Sequence, residues 1–181
     1  MEVDLSLVED LPEKVKIIDD FLPLNVFEEL KYSIIDNRLP DFPWYFQGQV
    51  AVKNVSKVQP WNWYQTHVLY LDNHVRSDHY NKIADIFLPR LEVLKSLIRI
   101  KANFYPNTEI IREHLPHTDY DFSHTAAIFS LNTCDGFTRM EDGTKVDSVS
   151  NRIVFFDGSL PHNSSTTTTS SARWNINFNY L

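Results

Sequence analysis

Arg173-Trp174-Asn175-Ile176-Asn177-Phe178-Asn179-Tyr180 alternates polar and apolar residues without a break. Successive side chains of a β-strand point to opposite faces, so the arginine and three asparagines share one face and the aromatics and Ile176 the other. The apolar face suits packing beneath helices. A face of amides and a guanidinium is too polar for a dry core, so it looks into water or into a polar site. Upstream, Ile98–Tyr105, Thr108–Glu113, Thr125–Leu131, Phe137–Met140 and Arg152–Phe156 read as short strands with turns between them. That spacing suggests a sandwich or barrel. The stretch Ser164 to Ser171 (SSTTTTSS) has the composition of a flexible loop but lies between apolar segments, as a loop within a domain would.

Before residue 98 the pattern is more helical. Val15–Leu22, Val50–Val55 and His67–Leu71 are strand candidates, whereas Leu24–Ile35 places Val26, Phe27, Leu30 and Ile34 at helical spacing. Ser77 can cap a helix running to about Leu97, with Ile83, Phe87, Leu91 and Leu94 on its apolar stripe. Pro89 should kink or split it, because proline lacks the N–H that a helix interior uses. Helices first and strands second gives the α+β class, with helices packed on one sheet face.

The chain has 181 residues, of which 43% are hydrophobic and 13% aromatic, enough for one domain with a substantial core. No apolar run approaches the roughly 20 residues of a membrane-spanning helix. The acidic stretch Met1–Lys14 has no apolar h-region, so a secretory signal is not expected. A net charge of -7 without any lysine or arginine block disfavours nucleic acid as a partner. Cys134 stands alone, which excludes an internal disulfide and Cys-rich metal sites, and fits a reducing cytoplasmic compartment.

Seven histidines are present, and only His117 has an acid two residues later, Asp119. On a strand that spacing puts both on one face. His162 follows the apolar run Phe155-Phe156 and the turn Asp157-Gly158-Ser159. Two imidazoles and a carboxylate form the facial triad of non-haem Fe(II) oxygenases, which leaves coordination positions open for co-substrate and O2. Arg173 lies eleven residues beyond His162. Its planar fork suits a bidentate, charge-assisted pair with a carboxylate. Asn175 shares its face.

Together, His117-x-Asp119, His162 and Arg173 resemble the pattern of the Fe(II)/2-oxoglutarate-dependent dioxygenases, over roughly Ile98 to Leu181. Asn103-Phe104-Tyr105, Ile128-Phe129-Ser130-Leu131-Asn132 and Gly136-Phe137-Thr138 are similar to the prolyl 4-hydroxylase-like branch, and Phe155–His162 to its phage and marine microbial members. Ser130 stands where that branch carries a second co-substrate Tyr. The resemblance implies a double-stranded β-helix, or jelly roll, with N-terminal helices packed on one sheet. It implies one domain over 1–181, with 1–97 as helix-rich support and lid and 98–181 as the catalytic core.

For chemistry, the resemblance implies Fe(II) on His117, Asp119 and His162. It implies 2-oxoglutarate on Arg173 with Tyr105, Asn103 and Asn175 as further contacts, O2, and ascorbate as reductant. The reaction implied is hydroxylation of an unactivated C–H, prolyl or another peptide residue or a small molecule, with release of succinate and CO2. Two other readings stand beside it. One is an AlkB-like nucleic-acid demethylase, whose second Arg is replaced here by Asn179. The other is a non-catalytic jelly-roll module. His114 and His124 read as supporting the ligands rather than joining them. Arg139 and Arg152 are alternative anchors. Phe42–Phe46 and Trp61–Tyr64 are aromatic clusters that either pack over the sheet or form a substrate mouth.

Overall fold

A computed structural model describes residues 15–35, 42–50 and 59–181. Its elements run β1 (Lys16–Ile18), α1 (Leu24–Ile35), β2 (Tyr45–Gln47), β3 (Tyr64–Leu71), β4 (His74–Val75) and α2 (Tyr80–Phe87). Then follow β5 (Leu97–Pro106), β6 (Thr125–Ser130), β7 (Phe137–Met140), β8 (Lys145–Asp147), β9 (Arg152–Asp157), β10 (His162–Ser164) and β11 (Ala172–Tyr180). An eight-stranded antiparallel sheet has the order β1-β9-β6-β11-β5-β3-β2, with β4 beside β3. A three-stranded sheet, β10-β7-β8, forms the second layer. This is an α+β jelly roll with helices on one sheet.

The outer face of the large sheet carries the main core. Ile100, Ala102, Ala127, Phe129, Ile153, Phe155, Ile176, Phe178 and Tyr180 meet the helices there. Helix α1 offers Phe27, Leu30 and Ile34, and α2 offers Ile83, Ala84 and Phe87. The Phe87 ring lies 4.9 Å from that of Phe129 and 4.7 Å from that of Phe178. Each fully buried side chain of this kind contributes about 1.5–3 kcal/mol. Between the sheets a smaller cluster, Ala126, Ile128, Met140, Val146, Val154 and Phe156, leaves the rest of the inner face to polar residues.

Several local expectations need correction. Among the described residues before Leu97, α1 and α2 are joined by β1, β2 and β3, which extend the large sheet. The helix expected from Ser77 to Leu97 spans Tyr80–Phe87, followed by a 3-10 turn at Leu88–Arg90. Pro89 explains the break, and Ser77 Oγ accepts the His79 N–H at 3.1 Å just ahead of the helix. Thr108–Glu113 is not a strand; it makes one isolated bridge, Glu113 to Ser165, and another, Asn107 to Thr167, stands just before it. The Val50–Val55 candidate lies outside the described residues from position 51 onward. Ser164–Thr167, at the start of the stretch read as a loop within the domain, is buried, and Asp135 binds the hydroxyls of Thr167, Thr168 and Thr169. Strands β8 and β10 were not anticipated, being three residues each. Among the described residues no helix is long and apolar enough to cross a membrane.

Candidate metal centre

The polar face of β11 stands opposite a matching face of β5. Register pairs Arg173 with Tyr105, Asn175 with Asn103, Asn177 with Lys101, and Asn179 with Arg99. The result is a polar ladder on the inner side of an otherwise apolar sheet, with the metal motif at its Asn177–Asn179 end.

His117, Asp119 and His162 each place a ligand atom within 4.8 Å of the others. Strand alternation does not bring them together, because Asp119 lies in a bend beyond β5. Backbone bonds do so instead. His117 and His162 exchange N–H···O bonds of 2.9 Å in both directions, and Asp119 N–H donates to Gly158 O at 2.9 Å. His162 Nδ1 bonds Leu160 O at 3.0 Å, leaving Nε2 4.0 Å from Asp119 Oδ2. A ligating histidine is commonly oriented in this way through its other nitrogen. His117 Nδ1 is buried and unpartnered.

The charge states suit a divalent ion. Burial pulls His117 down to about 4, with His162 adding to the effect. Burial also lowers His162, partly offset by Asp119. Both imidazoles are therefore neutral at pH 7, as metal ligation requires. Burial alone would raise the Asp119 carboxyl, but Arg99, His162, Lys101 and the Asn179 amide hold it far below the usual carboxylate range. Arg99 Nη2 reaches Asp119 Oδ1 at 2.6 Å, and Asn179 Nδ2 donates to Oδ2 at 2.8 Å. The same amide lies 3.1 Å from His124 Nε2, whose other nitrogen bonds Phe122 O at 2.8 Å. A Cβ on Gly158 would overlap His124, so glycine there makes room for the support.

Arg173 is 1% exposed and has no carboxylate partner among the described residues. Its Nη1 donates to Phe137 O at 2.7 Å and Nη2 to Thr138 Oγ1 at 2.8 Å, while Nε is unpartnered. The guanidinium lies 5.5 Å from the Tyr105 ring centre. A Cβ on Gly136 would come within 2.8 Å of Arg173 Cδ and of Thr166 O, which explains a glycine at that turn. Asn103 Nδ2 donates to Asn175 Oδ1 at 2.8 Å. His114 underlies this end, with Nδ1 2.9 Å from Ser164 Oγ and its ring beside Tyr105.

Buried polar atoms without partners are rare in folded proteins, and each asks for a reason. Here Asn103 Oδ1, Asn177 Oδ1, His114 Nε2, His117 Nδ1 and Arg173 Nε are such atoms, and all belong to this region. A narrow cavity of about 30 Å³ lies among Tyr105, His117, Asp119, His162 and Asn175. One of about 200 Å³ adjoins it, sharing Lys101, Tyr105, His117 and Asp119 and adding Tyr64 and Arg99. Beyond His162 a cavity of about 450 Å³ is lined by Met140, Phe156, Leu160 and Pro161, with Glu141 and Asp157 at its side. The donor set, two neutral imidazoles and one ionised carboxylate, fits Fe(II).

The fold is that of the prolyl hydroxylases. A Trichoplax adhaerens prolyl hydroxylase, solved with a peptide of the hypoxia inducible factor oxygen degradation domain, matches at TM-score 0.62 and 16% identity. The match covers 92% of this chain and 83% of that one. A Pseudomonas putida prolyl-4-hydroxylase matches at 0.60 and 16%, over 92% and 91% of the two chains. A non-heme alpha ketoglutarate dependent epimerase from nogalamycin biosynthesis matches at 0.62 and 13%, over 92% and 77%. No protein-family model and no curated protein matches the sequence.

Of the residues singled out from sequence, His117, Asp119 and His162 converge on one point, and Tyr105, Asn103, Asn175 and Arg173 line the ladder leading away from it. Arg139 and Arg152 do not approach the site: they pair with Glu113 and Asp19. Phe42 packs against His67 and His79 on the helix side, whereas Trp61 lies over His114 and Tyr64 stacks on Tyr105. The sequence reading missed Arg99, Lys101 and the support role of Asn179. Alternation from Tyr105 back through Asn103 points directly to Lys101 and Arg99, and that signal was available.

Proposed function

We propose that the chain is an Fe(II)- and 2-oxoglutarate-dependent oxygenase that hydroxylates an unactivated C–H bond. The observation that carries this reading is the convergence of His117, Asp119 and His162 at the end of a polar ladder whose far end holds a buried, unpaired arginine. When bound, Fe(II) with 2-oxoglutarate and O2 supplies the oxidising chemistry, with succinate and CO2 released.

The chain's own residues do the rest. Arg99 and Asn179 keep Asp119 ionised and aimed, and burial keeps both imidazoles neutral. Arg173, already oriented by Phe137 O and Thr138 Oγ1, takes the distal carboxylate of the keto acid. Tyr105, Asn103 and Asn175 line its path. The cavity is too narrow for a five-carbon dicarboxylate as it stands, so the Asn103–Asn175 hydrogen bond opens on binding and frees amide donors. Ile128 and the surrounding inner cluster exclude water, which strengthens each of these charge interactions.

The large cavity beyond His162, apolar at Met140, Phe156 and Leu160, takes the primary substrate. A peptide residue or a small molecule of similar size fits it. The peptide bound by the Trichoplax enzyme supports a peptide substrate, and prolyl is the first side chain to try.

The test is succinate release from 2-oxoglutarate by Fe(II)-loaded protein under O2. His117→Ala and Asp119→Ala should fall to background while remaining folded. Arg173→Leu should lose on the order of 3–5 kcal/mol of 2-oxoglutarate binding, a factor above ~100, because a desolvated carboxylate is left unpaired. Arg173→Lys should lose less, keeping the charge without the fork. Succinate release by Asp119→Ala at the wild-type rate would overturn the assignment.

A further inference from the structure

Lys101 is a second cation at this site without an anion of its own. It is mostly enclosed, on the β5 face that also carries Asn103 and Tyr105, and it borders both the narrow cavity and the 200 Å³ cavity beside the triad. Lys16, Lys31, Lys82 and Lys145 each pair with a carboxylate near the surface. Among the described residues, Lys101 Nζ has no such partner, and it lies 5.8 Å from the centre of the Tyr64 ring. Asp119 acts on it only through space, without a direct ion pair. One oxygen of that carboxylate is taken by Arg99, and the other accepts from Asn179 at 2.8 Å and Asn177 at 3.4 Å.

An enclosed ammonium without a counter-ion is costly, and such a group persists where a ligand supplies the missing charge. The 200 Å³ cavity is lined by two cations, two tyrosines and no acid other than Asp119. Its field therefore favours an anion. Arg173 cannot serve this place, since Asn177–Lys101 lies four residue steps along the β5–β11 ladder from Arg173–Tyr105, roughly 13 Å along the strands.

We propose that Lys101 is a carboxylate-binding residue beside the triad, separate from Arg173. The carboxylate has two sources of the same chemistry: the keto-acid end of the co-substrate, or an acid group on the primary substrate. The inference rests on the oxygenase reading for these two sources, whereas the carboxylate site itself needs no metal in the triad.

The experiment uses the visible charge-transfer band of the anaerobic Fe(II) protein in wild type, Lys101→Met, Lys101→Arg and Arg173→Leu. One arm titrates 2-oxoglutarate and pyruvate, which shares the keto-acid end but lacks the distal carboxylate. The other titrates N-acetylproline and its amide into the Fe(II)–2-oxoglutarate complex and reads the change in band shape. Lys101→Met should lose at least about tenfold in affinity for pyruvate if the co-substrate is the source, with Arg173→Leu impaired for 2-oxoglutarate alone. If the substrate is the source, Lys101→Met should bind keto acids normally but lose its response to the acid, and wild type should prefer the acid over the amide. Lys101→Arg should retain most of either effect. Equal behaviour of Lys101→Met and wild type in both arms would overturn the proposal. Absence of the band in wild type would instead overturn the oxygenase reading. Calorimetry of the same carboxylates on metal-free protein then decides Lys101, since loss of their binding in Lys101→Met supports it and unchanged binding refutes it.

Discussion

The two faces of the large sheet use the same strands for different ends. On β11, Ile176 and Phe178 face the helices and are fully buried among aromatics, whereas Arg173, Asn175, Asn177 and Asn179 are almost as buried on the inner side. Burial therefore does not separate the faces; satisfaction largely does, since among the described residues His67 Nδ1 is the one unpartnered buried side-chain atom on the outer face. The outer face is closed by apolar contact with α1 and α2. The inner face retains unpartnered atoms at Asn103, Asn177, His117 and Arg173. Stability is concentrated on one side, and on the other the fold holds polar groups that a ligand completes.

If that division is right, outer-face changes should cost stability and spare the site. Phe178→Ala is expected to lose about 3–5 kcal/mol in urea denaturation, through a cavity beside Phe87, while the folded protein keeps its metal affinity. A large change in metal affinity would break the comparison. A smaller effect of opposite kind is expected at Asn179. Asn179→Ala removes a donor to Asp119 and the link to His124, and should weaken metal binding about 10–100-fold with little change in unfolding free energy.

The smallest expected effect is on pH dependence. Burial holds His67, on the outer face, and His114, on the inner side, to about 4. Between that value and the ordinary histidine value near 6.5, the unfolded chain binds more protons than the folded one. The stability they contribute is thus complete above about pH 6.5 and is lost as pH falls toward 4. Melting curves of metal-free protein across this window should show the loss. His67→Phe should reduce it and leave keto-acid binding unchanged, which sharpens the distinction between the faces.

Much of this was legible in the sequence because the alternation in β11 is unbroken, and because β6 and β9 are apolar runs bounded by turns. His117, Asp119, His162 and Arg173 could be found from residue type and spacing. The polar partners were harder. Arg99 and Lys101 belong to no motif, and their meaning depends on register with Asn179 and Asn177 across the sheet. The overestimated helix after Ser77 has a local cause in Pro89 and a non-local one, because residues from Leu97 onward join β5 in pairing with β11 and β3. The buried state of Ser164–Thr167 was hidden for a similar reason: its hydroxyls are satisfied by Asp135, Thr108 and backbone groups distant in sequence.

The most direct test of a metal-holding inner face is anomalous scattering at the iron edge from crystals grown anaerobically with Fe(II). A single strong peak is expected about 2.0–2.2 Å from one nitrogen each of His117 and His162 and from an Asp119 oxygen. The peak should be lost in Asp119→Ala crystals of the same form. A peak at another histidine pair, such as His67 and His79, or no peak at saturating Fe(II), would contradict the assignment.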